Sequence, residues 1–309
     1  MSTDMKFTRL DSGETVFFAR ELEHIKTKSY DTKFAELRAR ELIPVSGDAG
    51  PGAESITYRT YTNLGVAKLI SNYANDLPRA DVKGQEFTSP VRSLGSSYGY
   101  NLQEIRAAKM TNKPLEQRRA NSAKRAVLQL ENSIAFNGDT EHGLGGFLTN
   151  PNITVVSVPV GVSGFTDWAR KTPDEILKDL NAVANTPFNV TKGVEVADTL
   201  LLPLAQYTLV ASTARSNNSD TTILEYFKKN NPFIKEVTYL NEMKGAGAGA
   251  VDAMLAYRRD PDALTLEVPQ DFEQLPVEPR GMEFVVDCHS RIGGVIVYYP
   301  LSIARGDGI

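Results

Sequence analysis

Asp287, Cys288 and His289 stand in succession, the residue types of a thiolate nucleophile with a base and an acid beside it. Their spacing argues against that use. Residues Glu283–His289 read as a strand, where consecutive side chains point to opposite faces, so Cys288 and His289 cannot face one substrate. His24 and His142 fall in distant stretches. Cys288 therefore reads as a small buried residue in a β-hairpin. Gly245, Gly247 and Gly249 alternate with alanine, but a dinucleotide fingerprint needs G-x-G-x-x-G between a strand and a helix. Here the spacing differs and a strand is expected next, so the segment reads as a loop that flexes or packs closely against a neighbour. Asp139, Glu141 and His142 are metal-ligand types in a glycine-rich turn, with no second cluster to complete a coordination sphere. Arg305-Gly306-Asp307 reads as a polar turn at an exposed terminus. Trp168, the lone tryptophan, reads as packing. No catalytic residue, cofactor site or metal site is assigned, and the chain is not read as an enzyme.

The composition narrows the field from another side. The 309 residues suffice for one large or two ordinary domains with a real core. With 34 basic and 38 acidic residues the net charge is −4, where a protein gripping phosphates carries a basic excess. Any contact with DNA is expected to be loose and non-specific. One cysteine excludes an internal disulfide framework and fits a reducing cytoplasm. No secretory signal is visible at the start, and no apolar run approaches the ~20 residues of a membrane span.

The elements that would position these residues change character along the chain. Up to residue 50, apolar residues are sparse: Val16-Phe17-Phe18, Leu22, Ile25, Phe34, Leu37 and Leu42-Ile43. Such a segment can dock on a surface but cannot form a core; a short helix near 14–25 is expected, then an extended arm. Residues 55–70 have the Thr, Tyr and β-branched content of a strand, and 85–100 read as a second extended run that Pro90 confines to an edge. Turn formers lie between them, which makes a long two-stranded excursion. A lone hairpin is marginal in water, so it needs support, either from its own domain or from another subunit.

Asn101 and Glu104 resemble a capping box opening a short helix through Met110. Pro114 then starts a long helix to about Phe136, with Leu115, Ala123, Val127, Leu130 and Ile134 on its inner face. Arg118, Arg119, Lys124, Arg125 and Glu131 occupy its other faces; the basic ones face nucleic acid, solvent or acids on another subunit. Asn137-Gly138 forms its cap. Residues 151–261 read as a separate α/β unit: a strand at 153–160, a helix opened by Thr172-Pro173-Asp174-Glu175, a strand at 199–202 stopped by Pro203, helices near 204–212 and 221–229, and strands at 236–240 and 251–257. Strands at 263–268, 283–289 and 294–299 follow, with Arg291–Gly294 as a turn between the last two. The class is α+β with a discontinuous domain.

Four stretches carry a resemblance. FARELEHIKTKSYDTKFAELRARELIPVSGDAGPGAESITYRTYTNLGVAKLISNYANDLPRAD, SLGSSYGYNLQEIRAAKMTNKPLEQRRANSAKRAVLQLENSIAFNGD, ADTLLLPLAQYTLVAS and the terminal RIGGVIVYYPLSIARGDGI are similar, in order and spacing, to a family of phage and prophage major capsid proteins. The similarity runs over nearly the whole chain from about Val16. It implies the Hong Kong 97-like phage capsid fold: an N-terminal arm (1–53), an extended β-loop (54–100), a peripheral domain (101–150 and 262–300) with a spine helix at 114–137, and an axial α/β domain (151–261 and 301–309). It implies a shell of hexamers and pentamers around double-stranded DNA, with a portal and possible separate scaffold or cement proteins as partners, no membrane, and a virion assembled in the bacterial host cytoplasm. On this reading the contacts between copies are expected at Phe17, Phe18 and Leu22 of the arm, Tyr73, Leu77, Pro78, Arg79 and Lys83 of the loop, and Gly245, Gly247 and Gly249 of the axial loop. A bacterial encapsulin-type compartment around a cargo enzyme shares the fold and stays open as the alternative.

Overall fold

A computed structural model of the chain describes residues 34–69, 79–111, 115–216 and 220–309. The chain divides into Met1–Glu36 and Leu37–Ile309, and the elements below belong to the second unit. The helix expected near 14–25 lies outside the described residues, as do Phe17, Phe18, Leu22, Tyr73, Leu77 and Pro78.

A single helical turn, α1 (Ala39–Leu42), leads into β1 (Val45–Ser46). β2 (Ser55–Leu64) and β3 (Asp81–Pro90) then pair antiparallel from Ser55↔Pro90 to Leu64↔Asp81. The extended run read at 85–100 is not one strand. Pro90 has no N–H to offer a ladder, and the Val91 N–H turns to the Glu54 carbonyl at 2.9 Å. Beyond that break β4 (Arg92–Asn101) leaves the ribbon and joins another sheet.

α2 (Leu102–Thr111) opens as expected: the Asn101 N–H donates to Glu104 Oε2 at 3.1 Å, and the Gln103 N–H to Asn101 Oδ1 at 3.2 Å. α3 (Leu115–Asn137) is the long helix. Ala123, Val127 and Ile134 are buried on its inner face, but Leu130 is 48% exposed and Glu131 is turned inward instead. The Arg40 guanidinium explains the exchange, donating to both Glu131 oxygens at 2.5 and 2.9 Å, which compensates a carboxylate that could not be buried alone. The helix closes at Gly138, with φ +71°, where a Cβ would lie 2.7 Å from the Gly146 nitrogen.

β5 (Thr154–Ser157), α4 (Pro173–Val190), β6 (Thr199–Leu202), α5 (Leu204–Ser212), α6 (Ile223–Asn230), β7 (Glu236–Tyr239) and β8 (Ala253–Tyr257) follow close to their expected positions. Glu175 opens α4 by accepting from the Thr172 N–H and the Val162 N–H, both at 2.8 Å. These backbone donors hold its carboxyl down at about 2. β9 (Leu264–Glu267), β10 (Gln270–Gln274), β11 (Glu278–Arg280), β12 (Glu283–Ile292), β13 (Gly294–Val297) and β14 (Ile303–Asp307) complete the order.

These strands form a five-stranded sheet β5-β14-β8-β6-β7, a three-stranded sheet β1-β9-β13, a sheet in which β12 pairs with β4, β10 and β11, and the β2–β3 ribbon. Two expectations fail here. Arg291–Gly294 is no hairpin turn, because β12 and β13 belong to different sheets; Gly294, at φ +74°, redirects the chain past Gly145. Arg305-Gly306-Asp307 is no exposed turn either. As alternate residues of β14, Arg305 and Asp307 share a face and pair at 2.8 Å, and Arg305 Nη1 donates to the Leu148 carbonyl at 3.0 Å.

The largest departure concerns residues 38–46, read as part of an extended arm. Leu42 and Ile43 are fully buried within the core cluster that also holds Phe136, Phe147, Tyr257 and Leu264. The Tyr257 hydroxyl donates to the Leu42 carbonyl at 2.6 Å. The Ala39 N–H donates to Asn132 Oδ1 at 3.0 Å, and Asn132 Nδ2 reaches Glu242 at 2.6 Å. Arg38 donates to the Tyr239 carbonyl, Arg259 to the Glu41 carbonyl, and the Leu266 N–H to the Pro44 carbonyl at 2.7 Å. One short turn thus binds α3, β7, β8 and β9. The second apolar cluster, under α4, encloses Trp168 and a buried ion pair, Lys171–Asp179, at 2.6 Å. Trp168 Nε1 donates to Asp179 at 3.1 Å, and Lys171 to the Pro159 carbonyl at 2.7 Å.

Two stability measurements follow from these contacts. Tyr257→Phe strips the buried Leu42 carbonyl of its donor and is expected to cost about 1–3 kcal/mol in urea unfolding. Lys171→Met, which leaves Asp179 buried and unpaired, is expected to cost about 3–5 kcal/mol, and adding Asp179→Leu to recover most of the loss.

Candidate assembly interface

The side chains that could do chemistry are tied up in the fold. Cys288 lies inside β12, opposite Ser96 of β4 and Gln274 of β10, and is buried. His289 projects to the other face of the strand. Asp287 is held by Arg280 at 2.8 Å. Burial and the neighbouring Asp287 push the Cys288 thiol up, away from the thiolate a nucleophile requires. Cys288 is thus a buried residue on the return strand of the hairpin that turns at Gly281-Met282, as expected, and the three side chains do not assemble.

The glycine loop between β7 and β8 is pinned by carboxylates. The Gly245 N–H donates to Asp252 Oδ1 at 2.9 Å and the Ala248 N–H to Asp307 Oδ2 at 3.1 Å. The expected freedom to flex is therefore curtailed, and the amides a phosphate would use already face anions. Asp139 and His142 satisfy each other: Nδ1 lies 2.6 Å from Oδ2, while Asp139 Oδ1 accepts from the Glu141 and His142 N–H groups. The His142 contact holds the Asp139 carboxyl below the usual range. Among the described residues, no group of three or more His, Cys, Asp or Glu is placed to hold a metal. Arg119 of α3 forks onto Glu104 at 2.8 and 3.0 Å, donates to the Gly99 carbonyl and lies over the Tyr100 ring, so it locks α2 and β4 to the spine.

The β2–β3 ribbon is built differently. Ten residues per strand at ~3.4 Å each give a length of about 34 Å. Among the described residues its contacts with the body lie at the root: Tyr58, stacked on Phe87 across the ribbon at 5.2 Å, meets Tyr298 edge-on at 5.0 Å, and Ser89 Oγ donates to the Gly293 carbonyl at 3.0 Å. Arg59–Glu86 at 2.6 Å and Thr57–Thr88 at 2.9 Å join the two strands to each other only. Farther out, Tyr61 is 65%, Val66 76% and Leu69 100% exposed, with Leu64 and Val82 also open to solvent. No third strand flanks either edge among the described residues. A ribbon of this length with bare edges and outward apolar side chains is stable only when something lies against it.

Of the contact residues expected from the sequence, Arg79 sits just before β3 and Lys83 on it, opposite Thr62, both exposed. Gly245, Gly247 and Gly249 are carried by a different element, the β7–β8 loop. Tyr61, Leu64, Val66 and Val82 are further exposed side chains of the same stretch, where the aromatic and β-branched content is the only sequence signal for them. The spacing of Leu130 fits the inner face, and it is the Arg40–Glu131 pair that takes that place instead.

A family model described as Major capsid protein matches residues 65–309. Curated protein sequences offer no match. Among solved structures, the capsid of Myoviridae phage XM1 aligns with a TM-score of 0.81 at 18% identity, over 95% of this chain and 99% of that one. The capsid of the native GTA particle aligns at 0.65 and 12% identity, over 96% and 99%. The virus-like particle from Pyrococcus furiosus aligns at 0.57 and 14% identity, over 86% and 91%. At these identities the likeness is one of fold.

The placement of Cys288 is open to direct measurement. A thiol-reactive dye is expected to label it in the unfolded chain and to leave the folded chain unmodified over the same time; equal labelling would place the thiol at the surface.

Proposed function

This chain belongs to the Major capsid protein family, and from that footing we propose that it assembles as hexamers and pentamers into the icosahedral head of a tailed bacteriophage around double-stranded DNA. Its α+β architecture is the Hong Kong 97-like capsid fold expected from the sequence, and its role is that of a structural protein of a phage-like particle. The observation that carries the finer reading is the β2–β3 ribbon, anchored at one end and bare at the other. A shell supplies the missing partner for every such ribbon, because a contact between two different patches of one protein repeats around a ring and closes it.

In this proposal residues 1–53 form the arm, its stretch 38–46 fastened into the core, and 54–100 the extended loop, with β4 already part of the peripheral sheet. The peripheral domain takes 101–150 and 262–300, and the axial domain 151–261 and 301–309. A portal and separate scaffold or cement proteins complete the particle, which assembles in the bacterial cytoplasm and persists as the virion. The net charge of −4 favours loose packing of DNA against the inner wall over phosphate-by-phosphate binding. No helix among the described residues is long and apolar enough to cross a membrane.

The likeness to the Pyrococcus furiosus virus-like particle keeps a second reading in view, an encapsulin-type compartment around a cargo enzyme. Particles purified from the native source decide between them, since one carries DNA and tail proteins and the other a single enzyme. For the shell itself, the expressed chain is expected to sediment as closed particles visible by negative-stain microscopy. Joining Leu64 to Asp81 through a two-glycine turn is expected to leave the circular dichroism and melting of the subunit intact while abolishing closed particles. Monomers alone under every assembly condition would count against the proposal, as would normal particles from the shortened chain.

A further inference from the structure

A groove of about 970 Å³ lies at the root of the ribbon. One wall is the edge of β2 at Tyr58–Tyr61, which faces away from β3; the other is β1, the outer strand of its sheet. Strand geometry turns half of the backbone donors and acceptors of each edge outward, and two open edges facing one groove are suited to receiving an extended segment. Tyr298 and Tyr299 supply apolar surface with polar tips.

The charges in the groove are unbalanced. Arg59 is matched by Glu86 at 2.6 Å, and Arg258 by Glu195 at 3.1 Å and Asp260 at 2.7 Å. Asp48 and Asp262, also lining the groove, are exposed and form no ion pair among the described residues. The site therefore calls for an extended, partly apolar segment with a cation. The distal end of the ribbon has that composition: Val66 and Leu69 are bare, and Arg79 is exposed without an ion pair among the described residues. It cannot serve its own groove, since the ladder carries Leu64 roughly 17 Å beyond Arg59 along β2.

We infer that the groove between β1 and β2 seats the distal end of the ribbon from a second copy of this chain, with Arg79 against Asp48 and Asp262. The inference rests on the shell-forming reading and names where on the neighbour the ribbon lands. Each copy then offers one groove and one ribbon end, so the contact propagates head to tail and closes on rotation.

Charge reversal in the full chain tests it. All three residues are solvent-exposed, so folding is expected to stay unchanged by circular dichroism. Asp48→Arg with Asp262→Arg is expected to lower the yield of sedimenting particles by about tenfold or more, and Arg79→Asp to do the same. Combining the three is expected to restore the yield to about the wild-type level. Particles at wild-type yield from D48R/D262R, or no recovery in the triple variant, would overturn the groove assignment while wild-type particles still uphold the shell. Absence of particles from the wild-type chain would overturn the shell reading, and the groove assignment with it.

Discussion

The hydroxyl of Tyr257 meeting the carbonyl of Leu42, 2.6 Å apart inside the larger core, is the contact on which the rest of the molecule depends. A single helical turn cannot hold itself together in water. Here it survives because its backbone groups are taken up by side chains from elsewhere: Ala39 by Asn132, Leu42 by Tyr257, Glu41 by Arg259. Those partners come from the spine helix, from β8 and from the segment just after it. The same turn that is least stable alone therefore fastens the helical and sheet-rich halves of the body to each other.

The same use of polar groups recurs across the described residues. The polar side chains with the most suggestive spacing are consumed in holding backbone. Asp252 and Asp307 brace the glycine loop, Asp139 closes a turn with His142, and Arg305 reaches the Leu148 carbonyl. By contrast, the apolar side chains of the outer ribbon, Leu64, Val66 and Leu69, stand open to solvent.

Sequence reading succeeded where the signal was local. Thr172 to Glu175 announce α4, Pro203 stops β6, and Asn137-Gly138 end the spine, because each depends on hydrogen bonds within a few residues. It failed where a distant partner decided the outcome. β4 looks like a continuation of β3 until β12, some 190 positions later, claims its edge. Leu42 and Ile43 look too sparse to form a core, and do so only because Tyr257 and Leu264 arrive from the other end of the chain. Glu131 looks like a surface acid until Arg40 is placed above it. The ribbon was legible as a stretch but its exposed side chains not one by one, since the face a ribbon residue presents depends on what its neighbours already cover.

The last strand has a consequence for timing. β14 lies between β5 and β8, pairing Ala304 with both Thr154 and Ala256. During synthesis from the first residue onward, the five-stranded sheet stays in two pieces until residues 303–307 have left the ribosome. Pairing over so long a separation is slow to form, and the unfinished sheet exposes strand edges meanwhile. Closure of the five-stranded sheet therefore waits on β14, the last of its strands to be made.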